Sequence, residues 1–147
     1  MKARFWGLTF LGAGLFLGGC LTPQGSSEPT LRFQAQTPTC AVVEEHFWAW
    51  GEVGKILFQG GVYLPNPCYE VEAQLEPLRC GCCARCPNTY QLRLVATRQN
   101  VVCVECLGTV SFAGEIQGLE PGVYALGAVL VVDGAERQLT VLQVEVR

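Results

Sequence analysis

Tyr69-Glu70-Val71-Glu72-Ala73-Gln74-Leu75 alternates apolar and polar side chains along its whole length. On an extended chain successive side chains point to opposite faces, so Tyr69, Val71, Ala73 and Leu75 share one face and Glu70, Glu72 and Gln74 the other. A helix would scatter the same residues around its axis. The stretch reads as a β-strand with one buried and one wet face.

The same period of two recurs in both directions from this segment. Leu31, Phe33 and Ala35 alternate with Arg32, Gln34 and Gln36; Tyr90, Leu92, Leu94 and Ala96 alternate with Gln91 and Arg93; Val110, Phe112 and Ile116 alternate with Ser111 and Glu115. Turn residues separate these runs at intervals typical of an all-β sandwich or barrel. The run Val123 to Val132 is apolar except at Tyr124 and Gly127, as expected of a central strand. Asp133-Gly134 after it is a hairpin signal. In the next strand the apolar parity slips from Leu139 and Val141 to Leu142, Val144 and Val146, which predicts a β-bulge near Val141.

Composition agrees with one globular domain: 147 residues, 50% apolar, 16% charged, net charge −3. A disordered chain would have fewer apolar residues and a larger net charge. The ten Lys and Arg are scattered, so no basic stripe is available for phosphates, which argues against a nucleic-acid partner.

The first segment is an address. Lys2 and Arg4 precede an apolar run from Phe5 to Gly19 that is shorter than the roughly 20 residues a membrane-spanning helix needs. Residues 1–19 therefore read as a cleaved signal peptide. Its end, Leu17-Gly18-Gly19-Cys20, resembles the lipobox of bacterial lipoproteins. The resemblance implies cleavage before Cys20, lipidation of its thiol and a membrane anchor in the cell envelope. It also favours the outer membrane in a two-membrane cell, because Leu21 stands where the family's inner-membrane retention signal has Asp. Removing Lys2 and Arg4 leaves eight cations against 13 acids, a net charge of −5. Residues 20–29, lipidated Cys and a polar stretch with Pro and Gly, read as a tether, and 30–147 as the domain.

Leu119-Glu120-Pro121-Gly122-Val123-Tyr124 resembles the strand entry of fibronectin type III and other immunoglobulin-like domains. The resemblance implies a tyrosine corner, with the Tyr124 hydroxyl bonded to upstream backbone. With the strand count it makes the expected fold an immunoglobulin-like antiparallel β-sandwich of about seven strands, stapled by disulfides.

Beyond Cys20 there are eight cysteines, an even number on an exported chain, which points to disulfides. Cys83-x-x-Cys86 and Cys103-x-x-Cys106 have zinc-ribbon spacing. A ribbon requires residues 87–102 to fold back near Leu94 and Val95, inside an apolar alternation with no turn residue; the better turn is Thr97-Arg98-Gln99-Asn100. A hairpin of 69–75 with 89–97 instead puts the two Cys pairs at opposite ends of a strand, roughly 25–30 Å apart at about 3.3 Å per residue. Cys68 is then expected to bond Cys106 in preference to Cys103, with Cys40 taking the remaining thiol. Cys80, Cys82, Cys83 and Cys86 should satisfy their thiols locally, as structural disulfides, as a soft-metal site for zinc or copper, or as a redox pair at Cys83 and Cys86 beside Arg79 and Arg85.

His46 follows Glu44 and Glu45, but the sequence gives it no convergent partners. Phe47, Trp48 and Trp50 fit a core assignment better than an aromatic binding patch, and residues 41–50 fit either a strand or a helical turn. Glu70 and Glu72 are the paired carboxylates, on a solvated strand face. No catalytic set is recognisable. The expectation is a lipid-anchored envelope protein whose sandwich binds an envelope partner or has a structural role, with the Cys80–Cys86 loop as the expected binding surface and no cofactor. The alternative is a thiol-redox or zinc/copper handling protein using that loop.

Overall fold

The computed structural model describes residues 28–81 and 84–147. The alternating stretches become strands wherever burying one face removes apolar side chains from water, at roughly 25 cal/mol per Å². Among the described residues there are eight strands, against about seven expected: β1 Thr30–Ala35, β2 His46–Glu52, β3 Lys55–Leu64, β4 Tyr69–Arg79, β5 Arg85–Arg98, β6 Gly108–Gln117, β7 Gly122–Val132 and β8 Ala135–Val146. They form two four-stranded sheets, ordered β1-β6-β3-β2 and β4-β5-β7-β8, packed face to face. The expected β-sandwich is what the chain forms.

Each sheet contributes its even or odd parity to a single core. Ile56, Phe58, Val62 and Leu64 of β3 and Val110, Phe112 and Ile116 of β6 meet Leu92 and Leu94 of β5 and Tyr124, Leu126 and Leu130 of β7. A stack of phenylalanines runs through it: Phe47 lies 5.9 Å from Phe58, and Phe33 5.9 Å from Phe112, centroid to centroid. Two glycines make room for these rings. In the β3–β6 ladder Phe58 is paired with Gly114 and Phe112 with Gly60, so each ring lies over a partner that has no side chain.

One pairing is not antiparallel. β5 and β7 run parallel, with Leu92 opposite Ala128 and Leu94 opposite Leu130. The cause is connectivity: the chain leaves β5, returns as β6 in the other sheet, and re-enters beside β5 in its original direction. β7 is thereby interior to its sheet, and Ala128, Val129 and Leu130 are all buried, as its uninterrupted apolar run requires. The β4–β5 hairpin pairs Tyr69 with Arg98 and Leu75 with Leu92. Asp133 and Gly134 both have positive φ, 50° and 80°, and close the β7–β8 hairpin between Val132 and Ala135. The β8 bulge falls at Leu139, since Ala128 faces Thr140 and Val129 faces Gln138. It lies two residues before Val141, which is itself exposed, so the inward parity passes from Leu139 to Leu142 across the bulge.

The strands give the molecule two poles. At one lie the start of β1, the end of β4, the start of β5 and the C-terminal Arg147. At the other lie the end of β1, the start of β2, the β3–β4 turn and the long connection between β5 and β6. The sandwich is fastened along the β2–β8 side, where Gly54 N–H donates to the Arg147 carbonyl (3.0 Å) and Arg147 N–H to that of Glu52 (3.2 Å). Along the β1–β4 side the edges splay apart over a cleft of about 640 Å³.

Candidate functional site

Among the described residues three disulfides tie the poles. Cys40–Cys106 (Cα–Cα 5.7 Å) and Cys68–Cys103 (5.9 Å) hold the β5–β6 connection, and Cys80–Cys86 (4.9 Å) closes the β4–β5 loop at the opposite pole. Cys86 and Cys103 thus lie at opposite ends of β5, as the hairpin reading required. The preferred partner of Cys68 is corrected, because Cys103 takes that bond and Cys106 goes to Cys40. The reason is a local bridge. Thr39 and Thr109 exchange backbone hydrogen bonds (2.9 and 2.8 Å), which seats Cys40 beside the residues that lead into β6, where Cys106 lies. Cys103, earlier in the connection, is left over the β3–β4 turn beside Cys68.

The Cys80–Cys86 bond uses two of the four thiols that the metal alternative needs. Cys82, Cys83 and the whole N-terminal segment with Cys20 lie outside the described residues. Among the described residues no group of three His, Cys, Asp or Glu side chains converges to hold a metal ion. Glu28 lies against this pole, its carboxylate 3.3 Å from the Arg85 guanidinium. Cys80 N–H donates to the Ala84 carbonyl at 3.0 Å, closing the loop tightly on itself.

At the other pole the two disulfides pin loops with exposed apolar side chains, among them Val42, Val101, Val102 and Val104. Glu45 accepts two hydrogen bonds from Arg137 and one from Tyr63 N–H (3.1 Å). The Arg137 bond is the main reason its carboxyl is held below the usual carboxylate range, against an opposing effect of burial. Tyr69 donates to Asp133 at 2.8 Å, and that bond, with burial, raises its phenol above the usual value. The tyrosine corner is present: Tyr124 donates to the Glu120 carbonyl at 2.7 Å.

Residues 46–52 are a strand, and their alternation divides the aromatic cluster. Phe47 and Ala49 face the core, whereas Trp48 and Trp50 are 60% and 43% exposed on the outer face of the β1-β6-β3-β2 sheet. The core assignment is corrected for both tryptophans. The signal was available, since residues two apart on a strand share a face, opposite to Phe47. His46 opens β2 with its ring 5.1 Å from Trp48, and its Nδ1 donates to the Glu44 carbonyl at 2.9 Å. In the neutral ring Nε2 is then an acceptor. Beside His46 the sheet surface dips into a shallow depression of about 390 Å³, bordered by Gln34, Gln36, Gln59 and Ser111. Glu70 and Glu72 are on the exposed face of edge strand β4, where repeated charge discourages pairing with another chain.

Comparison with protein-family models, with curated proteins and with solved structures returns no match for this chain.

Proposed function

We propose that the chain is an exported, lipid-anchored protein of the cell envelope whose β-sandwich is a non-catalytic binding module. The observation that carries this reading is the set of three disulfides in the domain that follows the lipobox-like Leu17-Gly18-Gly19-Cys20. Disulfides persist in oxidising compartments, and Cys20 is the residue that a lipoprotein would acylate. Two or more acyl chains anchor stably, because each buried methylene contributes roughly 0.8 kcal/mol. In a two-membrane cell the outer membrane is favoured by Leu21.

The position of Glu28 supports an orientation on the membrane. Residues 21–27 can span at most about 25 Å at roughly 3.5 Å per residue, so an anchor at Cys20 would keep the Cys80–Cys86 pole near the lipid. That pole then acts as the base of the molecule. Binding belongs to the opposite half, where His46, Trp48 and the exposed valines are.

The test is Cys20→Ser expressed in a bacterial host, with fractionation and mass spectrometry. The wild-type chain should lose residues 1–19, gain the mass of acyl chains and sediment with membranes; the variant should remain unacylated. Recovery of wild-type protein with an unmodified Cys20 would end the proposal.

A further inference from the structure

We infer that the outer face of the β1-β6-β3-β2 sheet, around Trp48, Trp50 and the depression beside them, is a binding site for a neutral carbohydrate chain. The inference rests on the binding-module reading and adds the chemical class of the ligand.

The ladder registers place the groups. Trp48 is opposite Gln59, which is opposite Ala113, which is opposite Gln34, so one row across the sheet carries an indole, an amide, a methyl group and a second amide. The next row toward the disulfide-stapled pole has His46, Gly61 and Ser111. Small residues at the centre with larger ones at both margins produce the dip, and its size falls within the range of small-ligand sites.

The chemistry of the face selects its occupant. A pyranose ring has an apolar face of C–H bonds and a rim of hydroxyl groups that both donate and accept. An exposed indole offers a flat π-surface, negative at its face, to those polarised C–H bonds. Amide side chains donate and accept in the way that hydroxyl groups need, and the Ser111 hydroxyl and His46 Nε2 extend the set. No carboxylate or ammonium group borders the depression. The charges on this face cluster at the other end of the sheet, where Glu115 is shared by Arg32 (3.9 Å) and Lys55 (3.6 Å). A nucleotide or an acidic peptide would find no cation in the depression or opposite Trp48; Lys55 lies diagonal to Trp50, at the far margin of the face. A protein partner would be expected to need a contiguous apolar centre, whereas here Trp48 stands between the His46 ring and the Gln59 amide, and Trp50 has only Leu57 as its apolar cross-strand neighbour. Trp48 and Trp50 lie two residues apart on one strand, about 6.6 Å by strand rise, so successive rings of a chain laid along β2 can each meet an indole.

The experiment uses the mature protein with its disulfides oxidised, titrated with hexamers of N-acetylglucosamine, glucose and mannose, and read by tryptophan fluorescence and calorimetry. At least one hexamer should bind saturably. Trp48→Ala should weaken that binding about tenfold or more, in keeping with the cost of removing a central aromatic contact. Trp48→Phe should restore most of it, and Gln59→Ala should weaken it by a smaller factor. Val123→Ala, exposed on β7 of the other sheet, should leave it unchanged. Absence of saturable binding to all three hexamers, or binding that survives Trp48→Ala, would overturn the inference. Acylation and membrane sedimentation are read separately through Cys20→Ser, so the anchored-protein reading can stand while this one fails.

Discussion

Phe58 and Gly114 face each other across the β3–β6 ladder, and the ring of Phe58 fills the space that a side chain at 114 would occupy. A Cβ there would lie 2.4 Å from Phe58 Cζ and 2.4 Å from the Arg32 carbonyl oxygen, on backbone that cannot yield. Gly114→Ala should therefore destabilise the fold by about 2–3 kcal/mol, the upper range for overpacking. Gly81→Ala, where a Cβ meets nothing within 4 Å, is the control. Urea unfolding of both variants decides the matter; equal midpoints would mean that the ring is not held where the ladder puts it.

The tyrosine corner gives a second expectation. Tyr124→Phe keeps the buried ring and removes only the bond to the Glu120 carbonyl. The loss should be about 1 kcal/mol, the usual net value of one such hydrogen bond. A midpoint unchanged by the substitution would show that water replaces the hydroxyl at no cost.

The disulfides should contribute unequally. Loop-closure entropy grows with the length of chain enclosed, so Cys40–Cys106, with a sequence separation of 66, should contribute more than Cys80–Cys86, with a separation of 6. In the chain-entropy model the two values are about 4 and about 2 kcal/mol. Paired Cys→Ala variants, compared by thermal unfolding, should rank in that order.

Acid and alkali should each find one residue. Glu45 is held below its ordinary range in the folded state, so its contribution is present above the unfolded-state value and is lost as pH falls through the folded one. Glu45→Gln should flatten the acid side of the stability profile; the effect is small because Arg137 is half exposed. Tyr69 is raised, so its contribution is present below the unfolded-state value, near 10, and is lost as pH rises through the folded one. Tyr69→Phe should flatten the alkaline side. Stability measured from acid to alkaline pH tests both, and a profile identical to wild type at either extreme removes the corresponding pair from the account.

Much of this architecture was legible because a sheet with one buried face writes its parity into the sequence. Tyr69 to Leu75 and Leu92 to Ala96 could be assigned from alternation alone, and the opposite placement of the two Cys groups followed from counting residues along β5. β3 is less readable, because Gly60-Gly61 at its centre resembles a break, and the reason for Gly60 is the Phe112 ring on a neighbouring strand. The choice between Cys103 and Cys106 depended on the Thr39–Thr109 bridge, a contact between distant segments that no local pattern encodes. The outward direction of Trp48 and Trp50 was encoded, but only once residues 46–52 were known to be extended. Two phenylalanines from other strands, Phe58 and Phe112, settle that by receiving Phe47.

The insertion of β6 between β1 and β3 bears on how the chain reaches this state. Before β6 is in place, β1 has no hydrogen-bonded neighbour and the β2–β3 hairpin has no link to it, so the sheet that covers β4-β5-β7-β8 is incomplete. Assembly must then wait for pairings between segments far apart in the chain, a topology associated with slow collapse to the native state. β1, the first strand to be made, therefore stays unpaired until β6 exists, whereas β2 and β3 can pair with each other as soon as both have been made.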